Sequence, residues 1–115
     1  MSDDCLFCKI ISGDIPGDII EQTGTVLSFH DINPQADTHI LIIPKIHIES
    51  TRDLNNENIH YLSEMAALAN KISESEDLSE SGYRWVINTG KDGGQTVNHL
   101  HLHLLGGRQL KWPPG

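Results

Sequence analysis

The sequence predicts an α+β fold: an antiparallel sheet of about five strands, packed with one long and one short helix. Three observations lead to this fold class. Five short segments carry strand-like patterns, one stretch of about twenty residues has a helical apolar stripe, and most strand connections are short. With 115 residues, a hydrophobic content of 37% and no internal repeat or long linker, the chain is expected to form a single domain over residues 1–115.

The first half of the chain is predicted to form the short helix and three strands. A helix over residues 5–12 brings three apolar side chains to one face and ends at Gly13. Strands are predicted at 19–22 and 25–30, on either side of a Thr-Gly turn. A β-branched run at 39–43 indicates a buried strand, which the following proline ends.

The second half contains the long helix and the last two strands. The helix is predicted over 56–75 from an apolar stripe of Ile59, Leu62, Met65, Ala66, Ala69 and Ile72. Strands follow at 83–88 and 99–105, and residues 89–96 between them are predicted to be a loop.

Charge and composition argue against several classes of function. Sixteen acidic against 8 basic residues give a net charge of −8, which disfavours a broad grip on nucleic acid or on an anionic membrane. The cysteines are too few for a disulfide-rich secreted domain. The acidic amino terminus lacks a signal-peptide pattern, and the longest apolar run, residues 40–43, is far shorter than the roughly 18 residues of a membrane span. We therefore expect a cytoplasmic protein with no nucleic-acid or membrane partner.

Histidine is the unusual residue, with three copies in the alternating row His99-Leu100-His101-Leu102-His103-Leu104. On a strand, this period of two places the leucines on one face and the histidines on the other. A solvent-exposed polar face is one interpretation, although serine, threonine, lysine or glutamate would serve it better. A zinc ion shared by all three is disfavoured, because alternate residues lie roughly 6.6 Å apart and ligand nitrogens lie about 2.0–2.1 Å from the ion. The three histidines are therefore predicted to serve more than one function.

A glycine-rich segment precedes the row. Residues 93–96, Gly-Gly-Gln-Thr, offer close backbone approach, amides and a hydroxyl, which suit a phosphate group. A neutral imidazole beside a bound phosphate can attack phosphorus and form a covalent intermediate that water later hydrolyses. Much of a histidine population is neutral at pH 7, because its ordinary pKa is about 6.5. The sequence thus indicates nucleophilic catalysis on a phosphate compound.

These residues resemble the histidine-triad superfamily, whose motif alternates histidine with apolar residues as residues 99–105 do. The resemblance extends over nearly the whole chain and is closest to the Hint branch, the histidine-triad nucleotide-binding proteins. Further segments carry it in the family's order: Phe-His-Asp-Ile at 29–32, Pro-Gln-Ala at 34–36, Thr-His at 38–39, Gly-Gly-Gln at 93–95, and the tail 106–115.

The resemblance implies a purine nucleoside phosphoramidase, which cleaves the P–N bond of AMP–amine conjugates through a nucleotidyl-histidine intermediate. His101 occupies the position of the nucleophile, and His103 and His39 occupy those that contact the phosphate or the leaving group. The nucleotide is expected to bind at Asp31, Ile32, Asn88, Gly94, Gln95, Thr96, Leu6, Phe7 and Ile10, with the ribose on Asp31 and the base against the apolar side chains. For those apolar residues, a place in the core is an equal alternative. The proton donor to the departing amine stays open between His99 and Thr96.

The resemblance also bears on assembly and on substrate preference. It implies a homodimer whose sheets join into one, with each carboxyl-terminal tail reaching the partner's active site through Trp112. Thr96 stands where better-known members carry serine, so the hydroxyl is kept while the added methyl narrows the pocket. Leaving-group preference is therefore expected to differ more than catalytic class.

Cys5 and Cys8 lie on one side of a helical turn, and three interpretations are open: a redox pair, two buried thiols, or half of a structural zinc site. A redox pair usually needs a thioredoxin-like βαβ setting, which this sequence lacks. A zinc site with two cysteines needs two histidines, and His47 and His99 are the expected partners. Some bacterial members of the superfamily resemble this arrangement. In that case the zinc is structural, and catalysis needs no cofactor.

Other functions stay open on the sequence alone. A dinucleoside polyphosphate hydrolase or nucleotidyltransferase would use the same nucleophile, and a nucleotide-binding interaction module would bind with little turnover. A zinc-dependent hydrolase would lose activity when the metal is removed without unfolding. His30 and His60 are expected to have packing or surface positions rather than chemical roles.

Overall fold

Five antiparallel strands form one sheet in the computed structural model, which describes residues 4–115. The strands are β1 (Ile19–Gln22), β2 (Val26–His30), β3 (Thr38–Pro44), β4 (Tyr83–Val86) and β5 (Leu102–Gly106). Their order across the sheet is β1-β2-β3-β5-β4, so β3 is central and pairs with β5. The register places Leu41 opposite His103 and His39 opposite Leu105. The predicted α+β class with an antiparallel sheet is confirmed.

Within residues 4–115, the sheet is accompanied by a short 3-10 helix (Thr51–Asp53) and three α-helices: α1 (Leu6–Ser12), α2 (His60–Ser75) and α3 (Gly90–Gly93). The prediction of one long and one short helix omits α3, which lies in the predicted loop. This turn forms because Gln95 Oε1 accepts from the Gly90 N–H at 2.9 Å and Gly94 ends it in the left-handed conformation, with φ 84°. Across residues 4–115, no helix has the length and apolar composition that crossing a membrane requires.

The start of α2 differs from the prediction. The helix begins at His60 rather than at residue 56, because Asn55 Oδ1 accepts from the N–H groups of Glu57 (2.9 Å) and Asn58 (3.2 Å). Such side-chain bonds offer the backbone an alternative to the helix.

The last two strands are also shorter than predicted. β4 ends at Val86, and β5 begins at Leu102 rather than at residue 99. The Leu100 N–H donates to the Ile48 carbonyl at 2.6 Å instead of entering the ladder with β3. The first part of the histidine row is therefore extended but bent away from the sheet.

Each face of the sheet has its own apolar core. On the α2 side, Ile40 and Ile42 of β3 pack with Met65, and all three leucines of the histidine row, Leu100, Leu102 and Leu104, are buried there. On the α1 side, the alternate residues Leu41 and Ile43 pack with α1. The histidines His101 and His103 share this second side, as the period-two pattern predicts.

α1 is short, and specific residues fix both of its ends. Cys5 is the N-cap, since its Sγ accepts from the Cys8 N–H at 3.2 Å. Gly13 ends the helix with φ 87°, and its N–H donates to the Ile10 carbonyl. The predicted helix over 5–12 is confirmed. A helix of 7 residues is unstable alone, so tertiary contacts of its buried side chains must hold it.

Candidate active site and metal centre

The three histidines of the row lie in different environments, because the chain bends at His99 and enters β5 only at Leu102. His99 is fully buried and His101 is 4% exposed, while His103 is half-buried. The interpretation of the row as a solvent-exposed face is therefore wrong. His99 lies in a bend closed by its own N–H, which donates to the Val97 carbonyl at 2.9 Å. Its ring reaches the cysteines of α1, whereas His103 follows the pleat of β5.

His99 joins Cys5, Cys8 and His47 in a group that we call the Cys/His cluster. Cys5 Sγ lies 3.3 Å from His99 Nδ1, and Cys8 Sγ lies 3.3 Å from His47 Nδ1. His99 Nδ1 is also 3.6 Å from Cys8 Sγ and 3.2 Å from His47 Nδ1. One ligand atom from each residue lies within 4.8 Å of the other three. The structure brings together the four residues predicted as a metal site.

The spacing and chemistry of the cluster fit a zinc ion. Tetrahedral zinc, with nitrogens at about 2.0–2.1 Å and sulfurs at about 2.3 Å, needs ligand atoms about 3.3–3.8 Å apart. The observed separations of 3.2, 3.3 and 3.6 Å agree with this requirement. His99 Nε2–H donates to the Pro44 carbonyl at 2.9 Å, which leaves the Nδ1 lone pair directed at the cluster.

Burial shifts the pKa values of two residues in the Cys/His cluster. It raises the pKa of the Cys8 thiol to about 11, with the hydrogen bond and charge of Cys5 adding to the shift. Burial also lowers the pKa of His99 to about 4, so its imidazole is neutral at neutral pH. Metal binding must therefore release thiol protons.

A pocket of about 310 Å³ opens on the α1 side of the sheet. Eight of the predicted site residues line it: Leu6, Phe7, Ile10, Asp31, Ile32, Thr96, His101 and His103. Ile32 is 98% exposed at this pocket, so it is available to a ligand rather than buried in the core. A larger open cleft of about 680 Å³ lies beside Leu78 and Arg108, and the described residues that line it include no histidine.

A main-chain hydrogen bond fixes the orientation of the His101 ring. Its Nδ1–H donates to the His99 carbonyl at 2.7 Å, which fixes the tautomer with an unprotonated Nε2. Burial lowers the pKa of His101 below its ordinary value, although the His99 carbonyl and Asp31 oppose this shift. A neutral imidazole with a lone pair on Nε2 therefore lines the pocket at neutral pH.

His39 and His103 form a hydrogen-bonded pair between β3 and β5. The Gln35 N–H donates to His39 Nδ1 at 3.0 Å, so His39 carries its proton on Nε2. That N–H donates to His103 Nδ1 at 2.9 Å, with Asp31 Oδ2 at 3.5 Å from the same nitrogen. His103 then carries its proton on Nε2, and this buried atom has no hydrogen-bond partner within residues 4–115. A buried donor without a partner is costly, so the position suits an acceptor that a ligand supplies.

Both rings of this pair are neutral. Burial lowers the pKa of His103 to about 4, and the nearby His101 and His39 lower it further. Burial also lowers the pKa of His39, against the opposing charge of Asp31. Atoms of Asp31, His39 and His103 all lie within 4.8 Å of one another. The chain of donors and acceptors accounts for this proximity without a metal.

Gln95 holds the glycine-rich segment rather than lining the pocket. Its Nε2 donates to the carbonyls of Glu49 (2.7 Å) and Val97 (3.0 Å), and its Oε1 accepts from the Gly90 N–H. The side-chain amide is therefore committed to the main chain. The predicted phosphate-side residues Asn88 and Gly94 also lie outside the described lining of the pocket.

Trp112 lies away from the pocket of its own chain. It is 79% exposed, and Arg84 Cζ lies 5.9 Å from the centre of its ring. Arg84 belongs to β4, at the edge of the sheet.

The structure adds lining residues that the sequence prediction omits: Ile15, Pro16, Gly17, Asp18, Phe29, His30, Leu41 and Val97. Register is the signal that could have found Leu41, because it lies opposite His103 and so shares its face. His30 stands at the pocket 4.0 Å from Asp18, whereas His60 bonds Glu64 on the surface, as expected.

The HIT domain family matches residues 12–110, which contain the whole sheet, α2 and the histidine row. The chain belongs to the HIT family. This HIT protein is 49% identical over 110 residues to the purine nucleoside phosphoramidase of Escherichia coli K12, a match that covers 96% of this chain and 92% of the relative. Cys5 and Cys8 lie before the range that the family matches.

Solved structures of HIT proteins have the same fold. The HIT family hydrolase from Legionella pneumophila is 51% identical with a TM-score of 0.95, and the match covers 97% of this chain and 100% of that one. A zinc-bound histidine triad family protein from Mycobacterium smegmatis is 36% identical with a TM-score of 0.80, covering 91% and 76%. The family resemblance inferred from the sequence is confirmed.

Proposed function

We propose that this HIT protein is a purine nucleoside phosphoramidase that hydrolyses the P–N bond of AMP–amine conjugates through a nucleotidyl intermediate on His101. One observation carries the proposal: the neutral His101 ring lines the same pocket as His103, whose buried N–H lacks a partner within residues 4–115. A nucleophile and a hydrogen-bond donor are thereby available to one phosphoryl group. The Escherichia coli relative is named for this activity, which supports the same class of reaction.

The reaction takes two steps. His101 Nε2 attacks phosphorus, the P–N bond breaks, and the departing nitrogen takes up a proton from solvent to leave as the amine. The water that attacks in the second step returns this proton to solvent. The His99 carbonyl stabilises the positive charge on the modified ring through Nδ1–H, and His103 Nε2–H stabilises a phosphoryl oxygen. Water then attacks phosphorus and releases AMP together with the neutral His101.

The rest of the pocket suits a nucleoside. Phe7, Ile10 and Leu41 supply apolar lining for a base. One oxygen of Asp31 accepts from the Asn33 N–H at 2.8 Å, and the remaining lone pairs of the carboxylate can accept from ribose hydroxyls. Because the chain carries a net charge of −8, capture of the anionic substrate rests on local donors such as Thr96 and the imidazoles.

We infer that the Cys/His cluster holds a structural zinc ion that takes no part in the reaction. The ligand atoms converge on one another, and four protein ligands leave zinc no open position for substrate. Both ring nitrogens of His99 are engaged, one by the cluster and one by Pro44, so this residue does not serve as the proton donor. Catalysis therefore needs no cofactor.

We infer that β4 joins two chains into a homodimer with one continuous sheet. β4 is an edge strand of the described sheet, so one side of its backbone is free to pair. Tyr83 and Trp85 on this strand are 38% and 39% exposed, which suits burial against a partner. Trp112, beside β4, is then in reach of the partner's pocket. Sedimentation analysis is expected to give a dimer, and a monomer would contradict this assembly.

Trapping the intermediate tests the proposed reaction. After brief exposure to an AMP–amine conjugate and an alkaline quench, peptide mass spectrometry is expected to show the mass of one AMP added to His101. An adduct on another residue, or none during measurable turnover, contradicts the mechanism. Parallel assays with P–N and P–O–P substrates distinguish this activity from a dinucleoside polyphosphate hydrolase.

A further inference from the structure

α1 belongs to the pocket and to the Cys/His cluster at the same time. Leu6, Phe7 and Ile10 line the pocket, while Cys5 and Cys8 supply the two sulfur ligands of the cluster. Cys5 is also the N-cap of the helix. A change in the position of α1 must therefore affect both sites.

Phe7 is the contact between the two sites. Its ring lies edge-on to His99 at 5.9 Å, to His101 at 5.2 Å and to Phe29 at 5.3 Å between ring centroids. It is buried and stands between the two cysteines in the helix. One side chain thus touches a ligand of the cluster, the proposed nucleophile and a lining residue of the pocket.

The cluster adds to the buried tertiary contacts that hold α1 in place. The helix has 7 residues, too few for stability on its own. Bonds from an ion to Cys5 and Cys8 tie it to His99 and His47, which lie 94 and 39 residues further along the chain. Without an ion, weak thiol hydrogen bonds to the imidazole nitrogens at 3.3–3.6 Å replace the metal bonds only in part.

We propose that Phe7 is a positioning residue through which the Cys/His cluster sets the affinity of the pocket for a purine nucleotide. The proposal rests on the proposed function only in taking this pocket as the nucleotide site. With zinc in the cluster, α1 keeps Phe7 against His101 and Phe29, whereas without it the pocket wall is no longer fixed and the nucleotide binds more weakly. By thermodynamic linkage, the nucleotide tightens zinc binding by the same factor.

Calorimetric titration of AMP tests this coupling. The zinc-loaded protein is compared with chelator-stripped protein whose fold is verified by circular dichroism. The AMP Kd is expected to be at least about fivefold weaker in the stripped protein, and zinc titrations with and without AMP are expected to give the same factor. Values equal within about twofold overturn the coupling and leave the proposed hydrolysis untouched. Failure of AMP to bind either form overturns the pocket assignment and the coupling together.

Variants of His47 make the test independent of chelation. His47 lies outside α1 and outside the described lining of the pocket, so its effect on AMP must pass through the cluster. His47→Ala removes one ligand and is expected to weaken AMP binding by the factor seen on stripping. His47→Cys keeps a four-ligand set and is expected to restore both zinc content and AMP affinity. Parent-like AMP binding by a zinc-free His47→Ala protein overturns the proposal.

Phe7→Leu identifies the side chain that transmits the effect. This variant keeps the cysteines and an apolar residue in the pocket, but loses the ring contacts with His99 and His101. Its AMP affinity is expected to become nearly independent of zinc. If the zinc dependence matches that of the parent, the coupling does not pass through Phe7. His60→Ala, a change on the surface of α2, serves as the control that retains the full zinc dependence.

Discussion

Two groups of histidines, one containing His99 and the other His103, are built in opposite ways. In the Cys/His cluster, acceptor atoms converge at 3.2–3.6 Å, an arrangement that a cation satisfies. Around His103, donors and acceptors alternate: the Gln35 N–H reaches His39, the His39 N–H reaches His103, and the last N–H has no partner in the described chain. The partner of the second ring nitrogen therefore decides whether a histidine serves as a ligand or as a hydrogen-bond donor.

The two groups also differ in access. His99 is fully buried and four protein ligands close the cluster, whereas His103 borders an open pocket. His101 stands between them, bonded to the carbonyl of His99 and lining the same pocket as His103. Removing residues from one group or the other is thus expected to have effects of different kinds.

Loss of the nucleophile is expected to have the largest effect. His101→Ala should lower kcat for an AMP–amine conjugate on the order of 10³-fold or more, because the variant lacks the imidazole that forms the proposed covalent intermediate. AMP binding should stay within a few-fold of the parent by calorimetry, since the other lining residues are intact. His60→Ala is the matched control and should retain full turnover. Parent-like turnover of His101→Ala would place the nucleophile elsewhere.

Loss of a cysteine from the Cys/His cluster is expected to lower the stability of the protein more than its reaction rate. Cys8→Ala should reduce bound zinc from about one per chain to near zero and lower Tm on the order of 10 °C, because structural zinc contributes folding free energy. Metal analysis and calorimetric melting measure the two effects. Ser12→Ala, at the other end of α1, should change neither. An unchanged Tm would mean that the cysteines are only buried thiols.

A smaller effect is expected from the residue that holds the glycine-rich segment. Gln95→Glu keeps an acceptor for Gly90 but places a carboxylate against the carbonyls of Glu49 and Val97. Loss of these two donor bonds should lower kcat/KM by about tenfold, equivalent to about 1.4 kcal/mol. Steady-state kinetics measure it, with Gln109→Glu in the exposed tail as the control. Equal effects of the two substitutions would contradict a positioning role for Gln95.

The smallest expected effect is a displacement of the acid limb of the pH profile. Burial disfavours the charged form of His101, so its pKa lies below the ordinary value of 6.5. The neutral nucleophile therefore persists as pH falls, and kcat/KM should drop to half its plateau only below pH 6.5. A midpoint above the ordinary histidine pKa would show that another group controls the limb.

Much of this arrangement follows from the sequence because periodicity and spacing are local. The alternation of histidine and leucine predicts that the two residue types face opposite sides of the sheet, and rise per residue predicts that His99 and His103 cannot share one ion. The spacing of Cys5 and Cys8 predicts half of a metal site. These inferences need no knowledge of how distant segments bond.

The other features of the site could not be predicted, because they depend on hydrogen bonds to backbone groups, which do not differ between residue types in a recognisable pattern. The tautomers of His101 and His39 follow from the His99 carbonyl and the Gln35 N–H, which any residue type other than proline would supply equally well. The role of Gln95 as a link to Glu49 requires a contact across 46 residues. For the same reason, the bend that delays the start of β5 to Leu102 could be located only from the bond between the Leu100 N–H and the Ile48 carbonyl.

The pleat of β5 also limits how this segment can change during evolution. Insertion of a single residue between Leu102 and His103 would exchange the two faces of the strand beyond that point. The imidazole of His103 would then enter the dry core beside Met65, and an aliphatic side chain would take its place in the pocket. Odd changes in length are therefore excluded here, whereas exposed connections outside the sheet tolerate them better.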